Sequence, residues 1–348
     1  MPGRQYSATT AYRYGFNGQE KSTEIDPNGS SYTAEFWQYD ARIVRRWNVD
    51  PVFKEYESPY AAFANNPIWI TDVNGADTLP VFRGNAATLN AELKNKNISP
   101  WLDLLNFSPS PHTVEEMRNR SGLESAYVQD IGWAKNDPTN FDYYSLNITK
   151  LPGDGFDLQT LFQMLRFNFE EFVTGSSSFA AYNPRERKMW ESSNPIGAVM
   201  SFDENFGLWQ VLGDDASVLT SANYSDINGA YWNFSTLYTP LGDWGHPVSG
   251  TRQFGVSVNS NTDGSKSYTF FTRGVDRVTD KITKLGGLLS SEYIFQKANS
   301  TWVRVMNNIN NYINEHGGKS EINEVVSQRL SWDKDVRSKY TSPLPEGY

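Results

Sequence analysis

Apolar residues recur along this chain with two periods, and each period predicts its own kind of element. Between Ser290 and His316 the positions Ile294, Phe295, Ala298, Trp302, Val305, Met306, Ile309 and Ile313 repeat every three or four residues. That spacing lays one apolar stripe along a long helix, which Gly317-Gly318 ends. A second stripe, Leu158, Leu161, Phe162, Leu165, Phe169 and Phe172, starts behind Asp157, a good N-cap, and stops near Gly175. Thr113-Val114-Glu115-Glu116 has capping-box spacing and predicts a short helix closed by Gly122.

From about residue 179 to 276 the pattern turns to β. Strands are predicted over 196–202, 207–212, 231–238, 252–258 and 267–273. Asn261-Thr262-Asp263-Gly264 joins the last two as a hairpin, which brings Arg252 and Arg273 near each other. The expected fold class is α+β, a central antiparallel sheet flanked by helices.

The N-terminal stretch reads differently. Tyr12-Arg13-Tyr14-Gly15-Phe16-Asn17-Gly18 and the run from Tyr32 to Arg42 alternate aromatic and polar residues, predicting short strands. Asp26-Pro27-Asn28-Gly29 between them is a turn, with Pro fixing φ and Gly supplying a positive one. Strands this short need neighbours to bury an aromatic face.

Three blocks in this stretch are specific: YRYGFNGQEK at 12–21, FWQYDARIVRRWNVDP at 36–51 and SPYAAFANNPIWITDVNG at 58–75. In order and spacing they resemble the closing part of the RHS repeat-associated core of RHS/YD-repeat proteins, in the form common in Bacteroidota. The anchors are Gly15, Phe16, Asn17, Gly18, Ala41, Arg42, Arg46, Trp47, Asp50, Pro51, Tyr60, Asn65, Asn66, Pro67, Asp72 and Gly75. The resemblance implies two domains: 1–77 as a β-rich core remnant, and 78–348 as the variable C-terminal toxin or effector domain. It also implies a secreted protein, or one delivered into a target cell by a specialised secretion system, used in interbacterial competition. The implied partners are a cognate immunity protein and the rest of the RHS shell or the secretion machinery. Asp50 and Asp72 fall on the two aspartates that support self-cleavage in such cores. The residues after Asp72, Val73-Asn74-Gly75-Ala76, depart from the Pro-x-Gly-Leu of the cleaving pattern.

Composition narrows the chemistry. The 348 residues carry a net charge of −9, and residues 80–348 alone hold 24 basic and 30 acidic side chains. A nucleic-acid target is therefore not favoured, because gripping phosphates needs Lys and Arg in excess. The absence of cysteine excludes disulfides, thiolate nucleophiles and Cys-ligated zinc, and no metal site is expected. No run of about 18 apolar residues predicts a transmembrane segment, and the first residues lack the apolar core of a signal peptide.

With three histidines, each is weighed singly. His112 precedes a helix and His316 sits in the last turn of one, where the dipole favours a cation. His246 lies in a glycine-rich loop, Gly242 to Arg252, that enters the hairpin. The register expected there gathers His246, Arg252, Arg273, Asp276 and Arg277 at one end of the sheet. A histidine with an orienting aspartate and nearby guanidinium groups is an acid/base and oxyanion-stabilising set. The sequence leaves the substrate and any cofactor unspecified.

Two alternatives stand beside that reading. Pro80-Val81-Phe82-Arg83-Gly84 resembles the strand-borne Arg-Gly that opens ADP-ribosyltransferase domains, with Arg83 as the cofactor-binding residue and Ser176-Ser177-Ser178 as a serine motif. Glu321 and Glu324 are three apart, where that family closes on Glu-x-Glu. The other alternative is a non-enzymatic effector that binds a receptor or acts on a membrane, a use for the chain's 14% aromatic content.

Overall fold

The computed structural model describes residues 20–27, 29–34, 37–49, 58–62, 81–153, 155–204, 217–226, 228–239, 246–261, 263–279 and 290–341. The chain divides into two compact units, Met1–Pro80 and Val81–Tyr348.

In the first unit, β1 (Glu20–Lys21), β2 (Ser31–Thr33), β3 (Gln38–Asp40) and β4 (Arg45–Arg46) pair in chain order as an antiparallel meander. The turn before β2 closes through Gly29 N–H on Asp26 O at 2.9 Å, with Gly29 at φ 75°. The aromatic run predicted as one strand folds back on itself, since Tyr32 pairs with Tyr39 across β2 and β3. Trp37 stacks on Tyr39 with ring centres 5.2 Å apart, and Arg46 lies over the indole of Trp37. Burying three aromatics on one short face outweighs keeping the alternation in a single strand. The strand expected at 12–18 lies outside the described residues, as do Asp50 and Asp72.

The second unit is α+β, with one ten-stranded sheet covered by helices. Its path begins with β5 (Tyr127–Val128), β6 (Thr139–Lys150), β7 (Ser177–Ala181) and β8 (Val199–Glu204). It continues through β9 (Ser217–Asp226), β10 (Gly229–Tyr238), β11 (Val248–Ser260) and β12 (Lys266–Val278). Two short strands, β13 (Lys319–Ile322) and β14 (Val326–Leu330), follow the last helix. The spatial order is β13-β6-β12-β11-β10-β9-β8-β7, so β6 closes against the late strand β12. β14 extends β13 along the same edge of β6.

Both faces of the sheet are covered. Alternate residues of β6 show it: Tyr144, Leu146 and Ile148 enter one core, and Phe141 and Tyr143 enter the other. The first core is closed by α4 (Leu158–Phe167), α5 (Phe169–Phe172), α6 (Pro184–Trp190) and the long α7 (Ser291–Glu315). The second is closed by α1 (Ala86–Lys94), α2 (Leu102–Leu105) and the segment carrying Trp332 and Val336. A strand buried on both sides loses the apolar–polar alternation of a half-exposed one. For that reason β6 and β9 escape a search for period two.

The helices follow their patterns closely. Ser290 caps α7 by accepting from Tyr293 N–H at 3.2 Å, and the predicted stripe faces the core. Asp157 caps α4 on Thr160 N–H at 2.8 Å. The predicted single helix breaks at Asn168, whose amide turns back onto Met164 O at 2.9 Å, giving α4 and α5. At α3 (Pro111–Ser121) the cap is Ser110, not Thr113: Ser110 Oγ accepts from Thr113 N–H and Pro111 takes the first turn. The predicted strand 207–212 lies outside the described residues.

Candidate active site

β6, β12 and β11 run antiparallel in a register that stacks two rows of side chains on the face under α7. One row is Asp142, Gly274 and Arg252; the next is Asn140, Asp276 and Gly250. Each row has a glycine where a side chain would block its neighbours. A Cβ on Gly274 would lie 2.4 Å from Nη2 of Arg252, and one on Gly250 would lie 2.1 Å from Val275 O. The space over Gly274 lets Arg252 reach across the middle strand.

Arg252 Nη2 donates to Asp142 Oδ2 at 2.7 Å and lies 3.8 Å from Asp276 Oδ2. Its guanidinium sits 4.3 Å from the ring centre of Trp302 on α7, and Nη1 donates to Thr272 Oγ1 at 3.3 Å. Asn140 Nδ2 donates to Asp142 Oδ2 at 3.0 Å and to Asp276 Oδ2 at 3.4 Å, tying the carboxylates together. Tyr144 O–H donates to Asn299 Oδ1 on α7 at 2.6 Å. Asp142 is fully buried, whereas the Asp276 side chain keeps 15% of its surface. Asn140 Oδ1 and Asp142 Oδ1 are buried and accept no hydrogen bond.

Burial and the neighbouring Asp142 charge push the Asp276 carboxyl up to about 7, against the pull of Arg252, Asn140 and Arg329. Two carboxylates on one guanidinium hold a proton that an isolated aspartate would have lost. Burial, reinforced by Asp142, raises Tyr144 well above the ordinary phenol value, so it stays a donor. A carboxyl half-protonated near neutrality both gives and takes a proton, and Asp276 is the member of the pair that reaches the surface.

The sheet divides the residues that the sequence gathers. Arg252 and Asp276 share the α7 face. Arg273 pairs with Gln253 and Arg277 with Ser249, so both point to the opposite face. There Arg273 donates to Gln253 Oε1 at 2.9 Å, Asp103 Oδ1 at 3.0 Å and Pro100 O, with its guanidinium over Phe82. Arg277 donates to Ile131 O at 3.1 Å and lies over Trp332, and burial lowers it to about 10.

His246 stands just before β11. Gln129 clamps its backbone, accepting from His246 N–H at 2.7 Å and donating to His246 O at 3.0 Å. The ring Nδ1 lies 3.0 Å from Val248 O, and burial lowers its pKa to about 4. It is a neutral ring held on the strand end, apart from the Asp142–Arg252–Asp276 cluster in its hydrogen bonds. Loop residues 240–245 before it lie outside the described residues.

Arg83 is exposed, in a segment 81–85 that forms no strand and leads into the Asn85 cap of α1. Ser177, on β7, is buried and hydrogen-bonded to Thr301. His112 is exposed beside Glu116, and the His316 ring stacks on Tyr312. Among the described residues no three His, Cys, Asp or Glu side chains form a metal-binding group.

The missed members, Asn140, Asp142 and Tyr144, alternate along Asn140-Phe141-Asp142-Tyr143-Tyr144. That period of two was the available signal, concealed by aromatics on both faces.

No family model matches this chain, and no curated protein does. Similar solved structures include a conserved protein from Geobacillus kaustophilus, 11% identical over 52% of this chain and 99% of that one, at a TM-score of 0.29. A truncated norcoclaurine synthase from Thalictrum flavum is 9% identical over 50% and 96%, at 0.27. The di-domain ARO/CYC StfQ of the steffimycin biosynthetic pathway is 10% identical over 71% and 68%, at 0.32. Likenesses at this level say nothing about reaction or ligand.

Proposed function

We propose that this chain belongs to the C-terminal region of an RHS-type polymorphic toxin, and that residues 78–348 are its effector, acting by general acid–base chemistry at Asp276. The observation that carries the chemistry is the carboxylate pair Asp142–Asp276 on one guanidinium, buried beneath α7 with two acceptor oxygens unused. The effector role is supported by the RHS-like blocks that precede the domain. In this reading a proton passes from a heteroatom of the substrate to the Asp276 carboxylate, where the new O–H bond forms, and the electron pair of the broken bond stays on the heteroatom. Asp142 and Asn140 hold Asp276 in place, and Arg252 balances negative charge that develops beside it. A cognate immunity protein and the RHS secretion route are its proposed partners.

Expression of the full chain in bacteria, without an immunity protein, tests this. Wild type is expected to stop growth, and Asp276→Asn to restore it, since losing a general acid or base removes on the order of 10²–10⁴-fold of rate. Equal arrest by both forms sinks the role of Asp276. Normal growth with folded wild-type protein present sinks the effector reading.

A further inference from the structure

Arg329 completes the row that carries Asp276. In register, Arg329 on β14 stands beside Asn140, Asn140 beside Asp276, and Asp276 beside Gly250. Two strand spacings, roughly 10 Å, separate the backbones of Arg329 and Asp276, a span that an arginine side chain largely covers. The guanidinium lies on the α7 face, 5.5 Å from the ring centre of Phe295.

That guanidinium is loosely held. Glu292 Oε2 on α7 lies 3.1 Å from Nε, yet off line for a hydrogen bond, and Nη1 makes one long bond to Ser327 Oγ at 3.4 Å. Nε and Nη2 are buried and donate no hydrogen bond. The Glu292 side chain keeps 53% of its surface, and an ion pair with so exposed a partner adds little to stability. Buried donors left open cost stability as well. Anchoring α7 is therefore a poor account of Arg329, and its charge is a better one.

Each element around Asp276 acts on its carboxyl. Asp142 on β6 pushes it up, Arg252 on β11 and Arg329 on β14 pull it down, and Tyr144 on β6 stays a neutral phenol. Glu292 of α7 acts at one remove, by offsetting Arg329.

We propose that Arg329 is a positioning residue for Asp276, and that Glu292 on the lid helix regulates it by holding part of its charge away from the carboxylates. Without the Glu292 charge, the whole of Arg329 acts on Asp142 and Asp276. Resting on the acid–base reading, this pair sets what share of the chains holds Asp276 as the carboxylate that takes a proton.

The experiment is an NMR titration of the aspartate carboxyls in the full chain, the Asp276 signal being the one that Asp276→Asn removes. Glu292→Gln is expected to move its midpoint down and Arg329→Gln to move it up, each by about one pH unit. Arg329→Lys, which keeps the charge, is expected to fall between Arg329→Gln and wild type. A loosened helix would admit water and lower the midpoint in both neutral variants, so movement in one direction overturns the proposal. An unmoved midpoint in Glu292→Gln, a substitution at a half-exposed site that the fold tolerates, overturns it too. The two readings fail separately. Growth restored by Asp276→Asn beside an unmoved midpoint in Glu292→Gln sinks the Arg329 proposal alone. Opposite movements beside growth arrest unchanged in Asp276→Asn sink the acid–base role alone.

Discussion

Asp276 pairs across the strands with a glycine, and that pairing governs its chemistry. Gly250 leaves room beside it, Asn140 approaches from β6, and Asp142 shares its guanidinium. The result is a carboxyl raised to about 7, so the folded chain holds a proton that the unfolded chain has released at that pH. The raised value means this group's contribution to stability is full below the unfolded aspartate range and is lost as pH rises toward 7. Asparagine carries no such dependence. The melting temperature of Asp276→Asn relative to wild type is therefore expected to be higher at about pH 8 than at about pH 5. An offset that stays constant between those conditions refutes the raised carboxyl. In the sequence Asp276 stood out by its place in the hairpin. Asp142 did not, because its reach to Arg252 depends on Gly274, a residue of another strand.

At the scale of elements, α7 is the lid of the site and the largest contributor to its core. Its stripe buries Ile294, Phe295, Val305, Met306, Ile309 and Ile313, while Asn299 and Trp302 meet Tyr144 and Arg252. Packing, more than capping, should hold such a helix, since propagation over many turns dilutes the value of one terminal hydrogen bond. Ile309→Ala is expected to cost about 2–5 kcal/mol in denaturant unfolding. Ser290→Ala should cost only about 1 kcal/mol. A cap loss equal to the core truncation would contradict this ranking. The same logic explains the break between α4 and α5. The apolar spacing continues through Asn168, but its amide satisfies Met164 O locally, and the chain turns.

Across the second unit, the sheet keeps two arginine systems apart. Arg252 belongs to the site, and Arg273 braces the opposite face through Asp103 and Gln253. Removing the charge of Asp103 leaves a buried guanidinium poorly balanced. Asp103→Asn is therefore expected to lower stability by roughly 3 kcal/mol while leaving the proposed growth arrest as in wild type at a permissive temperature. Loss of the proposed growth arrest in a variant that still melts cooperatively would show that the faces are not independent. Among the described residues no helix is long and apolar enough to cross a membrane.

By itself the sequence determined the α+β class, the long helix with its stripe and glycine stop, and the hairpin from Arg252 to Arg273. These rest on local rules, where each residue answers to neighbours a few positions away. Tertiary structure decided which side of the sheet each polar residue faces. It sent Arg273 and Arg277 to one face and Arg252 and Asp276 to the other, left His246 neutral at a strand end, and brought in Asp142 from more than a hundred residues away. A strand buried on both sides hides its alternation, and pairing between distant strands leaves no periodic trace in the chain. The site was half legible for that reason: its hairpin was local, and the strand completing it was not.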